Sequence, residues 1–352
     1  MTHDLTRKAA LWTVAFLMGV CVSPQAAPSR PVIQVAPVEG GAGINRAIAQ
    51  FKKSGGEIVL SAGTYQVITP IIIRYDNVTL RGVGPATKLR LAAKANCPVV
   101  VVGDEANTPR RQVRGICVAD LSIDGNRSQQ RGECWNGACD TGELTAIRSS
   151  GIAIRRARDI LVLRVNADSC RSGGLVTEKV CRRLMVRDFS ARDNEFDGLA
   201  CYLTEDSLFT NMVLSDNKSA GISLDLEFDH NTISHVRMER NGSHGIFMRH
   251  SSHNAFQDLV VSNSKRAGIF VDQVDLGHRT GSVGNTFTSV NVSSSGGPAF
   301  QVNAVSCKNT VLTNAVFTNN TVGVWEKEAG LVKTTDVKVT NRERGVMVQV
   351  ER

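Results

Sequence analysis

The sequence predicts an all-β fold, a single-stranded right-handed parallel β-helix (solenoid) with an N-terminal capping helix. The main observation is a nine-fold repeat in which a glycine or alanine is followed by apolar residues in alternation, with successive spacings of 23, 24, 23, 24, 23, 31, 24 and 22 residues. The units begin at Gly151, Gly174, Gly198, Gly221, Gly245, Gly268, Ala299, Gly323 and Gly345. The second observation is the composition, with 31 glycines but only 5% aromatic residues, which is typical of regularly spaced turns.

Each unit is too short for two helices, and its period-2 alternation indicates short strands separated by turns. A second strand recurs about ten residues into the unit, and a third precedes the next glycine. The second strands begin at Asn231, Asn254, Asn285 and Asn309. Three short strands per turn, stacked on their equivalents above and below, give a parallel β-helix.

An asparagine recurs four residues before the glycine in several units, at Asn194, Asn217, Asn241, Asn319 and Asn341. Asparagine tolerates the left-handed backbone conformation and can bond to its own turn. We expect these residues to stack at one corner as a buried amide ladder.

The N-terminus reads as an export signal. Arg7 and Lys8 precede an apolar run over residues 9–22, and small residues follow at Ala26 and Ala27. Because that run is too short to span a bilayer, we expect cleavage of a signal peptide over residues 1–27, a periplasmic or secreted protein, and no stable membrane insertion afterwards. Residues 28–352 then form one β-helix domain, with an N-terminal cap over 28–60 and regular turns over 151–352.

The cap should contain a helix, because Ile44, Ala47, Ile48 and Phe51 follow the i, i+3, i+4, i+7 pattern of an amphipathic helix. Such a helix would cover the open apolar end of the solenoid.

Export also bears on the cysteines, since eight of the nine remain after cleavage. Cys134 with Cys139, and Cys170 with Cys181, are candidate disulfide pairs. The others, Cys97, Cys117, Cys201 and Cys307, suit buried small apolar positions equally well.

The charge balance favours an acidic partner. The chain carries 41 basic and 33 acidic residues, a net +8, and loss of Asp4, Arg7 and Lys8 leaves +7. The apolar fraction of 42% excludes a disordered chain. Nucleic acid is not expected as a partner, since the charge is spread out and aromatic residues are few. We expect a monomer.

The segments Gly43 to Ile48, Gly55 to Leu60, Gly63 to Tyr65 and Val78 to Gly84, followed by the glycine repeat, resemble the pectate-lyase-like superfamily of right-handed parallel β-helix proteins. The resemblance covers essentially the whole mature chain. It implies the β-helix fold and a place among proteins that act on polysaccharides.

The fourth position after each glycine points outward and carries an ionisable side chain in six consecutive turns. These residues are Arg155, Glu178, Tyr202, Asp225, Arg249 and Asp272. Strand spacing would place them about 4.8 Å apart along one face. A solvated strand face would also be polar, so the column alone does not establish a site.

Histidines favour the same region, because six of the seven lie between residues 230 and 278. Histidine is suited to proton transfer near neutral pH. Two insertions flank these turns, one bearing His278 and Arg279 and the other bearing Trp135, which could stack on a sugar ring.

Two chemistries fit these residues. In the first, an arginine neutralises the carboxylate of a uronic acid polymer and a histidine or tyrosine removes the C5 proton, giving β-elimination or epimerisation. The order of the tyrosine, the aspartate-rich strand and the histidine-bearing strand resembles that of the mannuronan C5-epimerases. The expected catalytic residues are Tyr202, Asp225, Arg249, His250, His253 and Asp272. The expected substrate-binding residues are Arg155, Glu178, Glu227, His230, Trp135, His278 and Arg279.

The second chemistry is inverting glycoside hydrolysis by Asp225 and Asp272, which would lie roughly 9.6 Å apart across two turns. A non-catalytic polysaccharide-binding surface protein is a third possibility. No firm cofactor is expected. Calcium would suit Asp225, Glu227, Asp229 and Asp272, but the alternating arginines disfavour a cation site and we predict no metal there.

Overall fold

The computed structural model describes residues 30–135, 146–275, 279–340 and 348–350, without the side chains of Arg279 and of residues 348–350. The predicted signal peptide, Cys139, His278 and Asn341 lie outside these ranges.

The predicted parallel β-helix is confirmed, with about 12 turns. One strand of each turn contributes to a parallel sheet that we call the front sheet. The repeat residues from Gly151 to Gly323 each lie just before their strand, and Gly345 lies outside the described residues. Its strands are Ile71–Ile73, Val100–Gly103, Ile152–Arg155, Leu175–Glu178, Leu199–Glu205, Ile222–Asp229, Ile246–Arg249, Ile269–Asp272, Phe300–Val302, Val324–Glu326 and Val348–Val350.

The rest of each turn was predicted to hold two separate strands, and in the first turns it does. These early strands are Val32–Val35, Gly56–Leu60, Gly63–Val67, Val78–Arg81 and Thr87–Leu91. From residue 113 onward the two are joined into one long strand, over Val113–Asp124, Ala157–Asp168, Cys181–Arg192, Leu208–Ser215, Thr232–Glu239, Ala255–Ser262, Thr286–Ser293, Thr310–Thr318 and Val332–Thr340. Short hairpins join Cys134–Trp135 to Ile147–Arg148 and Val274–Asp275 to Arg279–Thr280.

A left-handed residue replaces the predicted turn inside each long strand. These bend residues have φ between 52° and 58° and form a column: Asp120, Arg164, Asp188, Asn211, His235, Asp258, Ser289, Asn314 and Asp336. Neighbours in the column pair with one another, as in the two bonds of Arg164 to Asp120 at 2.5 and 2.9 Å. A residue with positive φ changes the direction of the chain while interrupting the strand pairing only briefly. No separate loop is therefore needed at this corner.

The predicted capping helix is confirmed as Gly40–Gln50, preceded by a 3₁₀ turn over Pro37–Glu39. Ile44, Ala47, Ile48 and Phe51 are all buried, at 3% exposure or less. The helix packs on the strands Gly63–Val67 and Ile71–Ile73, so its apolar side covers the first turns of the core. A second 3₁₀ turn spans Arg127–Gln129.

The predicted amide ladder is present, but one of its members is not the predicted residue. The Nδ2 group of Asn194 donates to Oδ1 of Asn217 at 2.9 Å, and that of Asn217 donates to Oδ1 of Asn241 at 3.1 Å. Near the C-terminus the ladder residue is the buried Asn320, because Asn319 adopts φ 58° to turn the chain.

A second ladder, not predicted, stacks Asn231, Asn254 and Asn285 at another corner. Asn231 Nδ2 donates to Asn254 Oδ1 at 3.3 Å, and Asn254 Nδ2 donates to Asn285 Oδ1 at 3.0 Å. Each amide also donates to a backbone carbonyl of an adjacent turn, so the corners are satisfied internally.

The predicted Cys170–Cys181 disulfide is wrong, since both residues are buried free thiols. Cys181 Sγ contacts the backbone carbonyls of Ile154 and Glu178 instead. The Cys134–Cys139 pairing stays a prediction, because Cys139 is outside the described residues. Among the helices that the structure describes, none is long and apolar enough to cross a membrane.

Candidate functional site

The outward residues at the fourth position of each unit pair in the predicted register, but they form two separate groups. Arg155 pairs with Glu178 on the next turn. Tyr202, Asp225, Arg249 and Asp272 follow one another on four successive turns. Between the groups the strand pairing stops at Thr177 and Cys201, one residue short of Glu178 and Tyr202. We call the outward surface of this sheet the front face.

Arg155 and Glu178 do not lie on an open surface, contrary to the expectation. Arg155 is fully buried and Glu178 is 4% exposed. The Nε of Arg155 donates to Glu178 Oε1 at 2.6 Å, and Nη1 donates to the carbonyls of Asp104 and Ala106, both at 2.8 Å. The segment after the strand Val100–Gly103 therefore covers these turns, and the pair holds that segment in place.

Arg249 and Asp225 form an ion pair through Nη2 and Oδ2. The Asp225 side chain is 7% exposed and that of Arg249 is 37% exposed. Burial raises the pKa of Asp225, while the bond and charge of Arg249 lower it. The Arg249 guanidinium also lies over the Phe247 ring, 5.1 Å from its centroid.

Three polar atoms near this pair are buried without a hydrogen-bond partner in the described part of the chain. They are Asp225 Oδ1, Arg249 Nε and His250 Nδ1. His250 follows Arg249 directly and is close enough for its charge to lower the pKa of Asp225. Buried polar atoms without partners are rare in folded proteins, so their concentration here indicates a place that a ligand or water completes.

Tyr202 lines a small cavity at the N-terminal end of the open part of the front face. The cavity has a volume of about 80 Å³ and is lined by Arg148, Ser172, Gly173, Val176, Phe196, Asp197, Ala200 and Tyr202. Burial raises the pKa of the Tyr202 phenol, and Arg148 opposes the rise. Burial also raises the pKa of Asp197 to about 6, although its Oδ1 accepts a 2.8 Å bond from the Ala220 amide.

The histidines are distributed over several corners rather than gathered in one site. Exposed His230 and His253 stack on each other, with centroids 5.2 Å apart, at the corner after the front strands. His235 is a bend residue, 3.3 Å from Asp258. His250 is therefore the predicted catalytic histidine placed next to the Asp225–Arg249 pair.

The remaining predicted residues lie in different parts of the structure. Asp272 is part-exposed, and its Oδ2 accepts a bond from Asn303 Nδ2 at 3.0 Å. Glu227 is exposed and lies two residues after Asp225 in the same strand. Trp135 lines a different cavity, beside Tyr75 near the capping helix. The Arg279 backbone lies in a hairpin strand.

The structure also brings residues to the front face that the sequence analysis did not select. Phe247 and Phe270 stack with centroids 5.5 Å apart, and His244 stacks on Phe270 at 4.7 Å. Sugar rings often pack on aromatic surfaces of this kind. The only sequence signal for them was a pair of aromatic residues at the outward second position of adjacent repeats.

Asp197 and Arg148 were also missed. Asp197 precedes a repeat glycine and had no obvious pattern, and Arg148 lies in an insertion. Within residues 30–135, 146–275 and 279–340, no group of three or more histidine, cysteine, aspartate or glutamate side chains could hold a metal ion.

With this geometry established, comparison with known proteins identifies the fold. Residues 118–275 match the family model described as right handed beta helix region. A mannuronan C5-epimerase from Azotobacter vinelandii, AlgE4, is 25% identical over 186 residues, which is 50% of this chain and 31% of that protein. The chain thus spans about a third of this curated relative.

Solved structures share the architecture at lower identity. The A-module of the Azotobacter vinelandii mannuronan C-5 epimerase AlgE6 is 17% identical, with a TM-score of 0.52 over 90% of this chain and 93% of that one. The catalytic domain of a GH87 alpha-1,3-glucanase in complex with nigerose is 13% identical, with a TM-score of 0.61 over 94% of this chain and 69% of that one. The chain is therefore a right-handed parallel β-helix.

Proposed function

We infer that this protein is an exported enzyme that acts on a uronate-containing polysaccharide by removing the C5 proton of a sugar, as a lyase or a C5-epimerase. The proposal rests on one observation. Tyr202, Asp225 and Arg249 occupy the same position on three successive turns of the front sheet, and His250 directly follows Arg249. The similarity to a protein named as a mannuronan C5-epimerase supports mannuronan as the first substrate to test.

Arg249 has the role of neutralising the sugar carboxylate. Asp225 engages Nη2, and more than a third of the arginine side chain remains exposed on the front face. A guanidinium can bind a carboxylate through two parallel bonds. Charge neutralisation stabilises the carbanion that forms when the C5 proton leaves, which is the main barrier in this chemistry.

His250 and Tyr202 supply the proton transfers. The imidazole of His250 is the base, and it takes the C5 proton while the electron pair moves toward the neutralised carboxylate. Tyr202 is the acid, because its phenol carries a proton at neutral pH and burial raises its pKa further. In an epimerase, Tyr202 returns a proton to the opposite side of C5. In a lyase, it protonates the glycosidic oxygen as the C4–O bond breaks and the C4=C5 bond forms.

The test is exchange of the C5 hydrogen in D₂O with mannuronan as substrate, read by mass spectrometry. Deuterium at C5 of the polymer is expected for an epimerase. A lyase removes the C5 hydrogen and leaves a C4=C5 double bond, so it is recognised by the ultraviolet absorbance of the unsaturated uronate instead. Arg249→Ala should abolish the exchange, whereas Arg240→Ala, which removes an exposed arginine of another corner, should not. Absence of both C5 deuterium and unsaturated product with mannuronan and other uronate polymers contradicts the proposal.

Hydrolysis by Asp225 and Asp272 is the second candidate. The two residues lie two turns apart, and burial raises the pKa of Asp225 as a general acid requires. Arg249 between them is an obstacle to that role, since it favours the ionised form of Asp225. New reducing ends without ultraviolet absorbance or C5 exchange would support hydrolysis. Binding without any of these products would support a polysaccharide-binding protein.

Export and calcium remain separate proposals. Fractionation of cells that express the full chain should place a shortened protein in the periplasm or the medium, and retention of a full-length cytoplasmic protein contradicts export.

C5 exchange should be unchanged by a calcium chelator, since the arginines alternate with the aspartates along the front face.

A further inference from the structure

The front face is closed toward its N-terminal turns and open toward its C-terminal turns. This change is seen in the exposure of the residue two positions after the start of each repeat unit, which points outward. Its exposure is 1% at Ala153, 1% at Val176, 3% at Ala200 and 8% at Ser223, and the position is part-exposed at Phe247, Phe270, Gln301 and Trp325. A polysaccharide lying along this sheet therefore meets a barrier near Ala200.

The cover over the closed turns is anchored by buried charged groups. Arg155 holds the backbone of Asp104 and Ala106, and is itself held by Glu178. In the hairpin of Cys134–Trp135 and Ile147–Arg148, Arg148 forms an ion pair with Glu133, and both side chains are less than 15% exposed. Anchoring of this kind makes the cover a fixed part of the fold, since separating a buried ion pair is costly.

The cavity beside Tyr202 lies where the cover ends. Its volume of about 80 Å³ is room for several water molecules, or for the substituents of one sugar ring. Its polar lining residues are Arg148, Ser172, Asp197 and Tyr202, which bring a guanidinium, a hydroxyl, a carboxyl and a phenol. Donors and acceptors are thus both present, as the hydroxyl and carboxylate groups of a uronate require.

We propose that this cavity is a terminal subsite that receives the end sugar of the polysaccharide, so that the enzyme acts from one end of the chain. The inference rests on the proposed function, because the cavity and the catalytic group share Tyr202. From the cavity the sugar chain runs over Phe247 and Phe270 to Trp325. That path crosses five turns, or about 24 Å of strand spacing.

The experiment compares three forms of one mannuronan hexasaccharide by calorimetry: unmodified, with a bulky group at the reducing end, and with the same group at the other end. One modification should weaken binding at least about tenfold, and the other should leave the affinity unchanged. Equal affinity for all three forms overturns the terminal subsite and leaves the proposed function intact. No binding of any form, together with neither C5 exchange nor unsaturated product, contradicts the proposed function and this inference with it.

Two variants test the cavity itself. Ala200→Phe fills it and should weaken binding of the unmodified hexasaccharide about tenfold or more. Asp197→Asn keeps an oxygen for the Ala220 amide but removes the charge, and should also weaken binding while the far-ultraviolet spectrum stays unchanged. Asp216→Asn, at an exposed pair on another corner, is the matched control. Wild-type affinity in both cavity variants overturns the proposal.

Discussion

Arg249 and Asp225 occupy the same position on consecutive turns of the β-helix, and the guanidinium of one contacts the carboxylate of the other. The aspartate is the more deeply buried partner, so it fixes the arginine while leaving part of the arginine exposed. A catalytic guanidinium benefits from such support, because a preoriented charge needs no reorganisation during the reaction.

The first prediction concerns this pair. Arg249→Ala leaves the buried Asp225 carboxylate without its partner, so we expect a loss of about 1–3 kcal/mol in the free energy of unfolding. We also expect C5 exchange to fall by about 100-fold or more. Urea denaturation and the D₂O assay measure the two effects. Arg240→Ala breaks an exposed pair with Asp216 and should change each only slightly.

Asp197 should make the protein less stable as the pH rises. Burial raises the pKa of its carboxyl from 3.8 to about 6, so the folded state binds a proton more tightly than the unfolded state. This favourable contribution is complete below pH 3.8 and is lost as the pH rises to about 6. Asp197→Asn should therefore gain up to about 3 kcal/mol at neutral pH, and nothing in acid. Equal stability of both proteins at neutral pH would contradict this.

His244 should have the opposite effect. Burial lowers the pKa of its imidazole from 6.5 to about 4, so the unfolded state binds the proton more tightly. Stability is then complete above pH 6.5 and falls as the pH drops toward 4, by up to about 3 kcal/mol in total. His244→Phe keeps a ring stacked on Phe270 and should reduce this acid sensitivity in unfolding curves. An unchanged pH profile would show that another group is responsible.

The amide ladder should contribute strongly to stability. Oδ1 of Asn217 accepts bonds from the backbone and the side chain of Asn194, and Nδ2 donates to Ala191 O and to Asn241 Oδ1. Asn217→Ala leaves several buried groups without partners, and we expect a loss of about 3 kcal/mol in urea denaturation. Asn291→Ala, on an exposed strand position, should cost less than about 0.5 kcal/mol. Similar losses in both variants would argue against the ladder.

The sequence predicts well those features that depend on the repeat. The glycine spacing correctly aligned Tyr202, Asp225, Arg249 and Asp272, because strands one turn apart must pair in register. The same reasoning located the capping helix and most of the first amide ladder. The ladder residue near the C-terminus is Asn320 and not the predicted Asn319. A fixed count of residues back from the glycine does not allow for a local change in the turn.

Features that depend on segments outside the repeat could not be predicted. Arg155 has the same repeat position as Arg249, yet it is buried because residues about 50 positions earlier fold over it. The cavity at Tyr202 exists for the same reason, since Arg148 comes from an insertion. Closeness of the histidines in the sequence was also a poor predictor of closeness in space, because 23 residues carry the chain through all three corners of a turn.

The register of the front sheet has a consequence for how this site can change. Tyr202, Asp225 and Arg249 belong to three successive turns, so the separation between any two of them along the axis is a whole number of turns of about 4.8 Å. Deleting or duplicating one repeat between Tyr202 and Arg249 would preserve the solenoid while moving the acid and the guanidinium by one full step. The spacing of these residues along the axis can therefore change only in steps of one turn. Smaller changes in the geometry of the site depend on the side chains and the insertions.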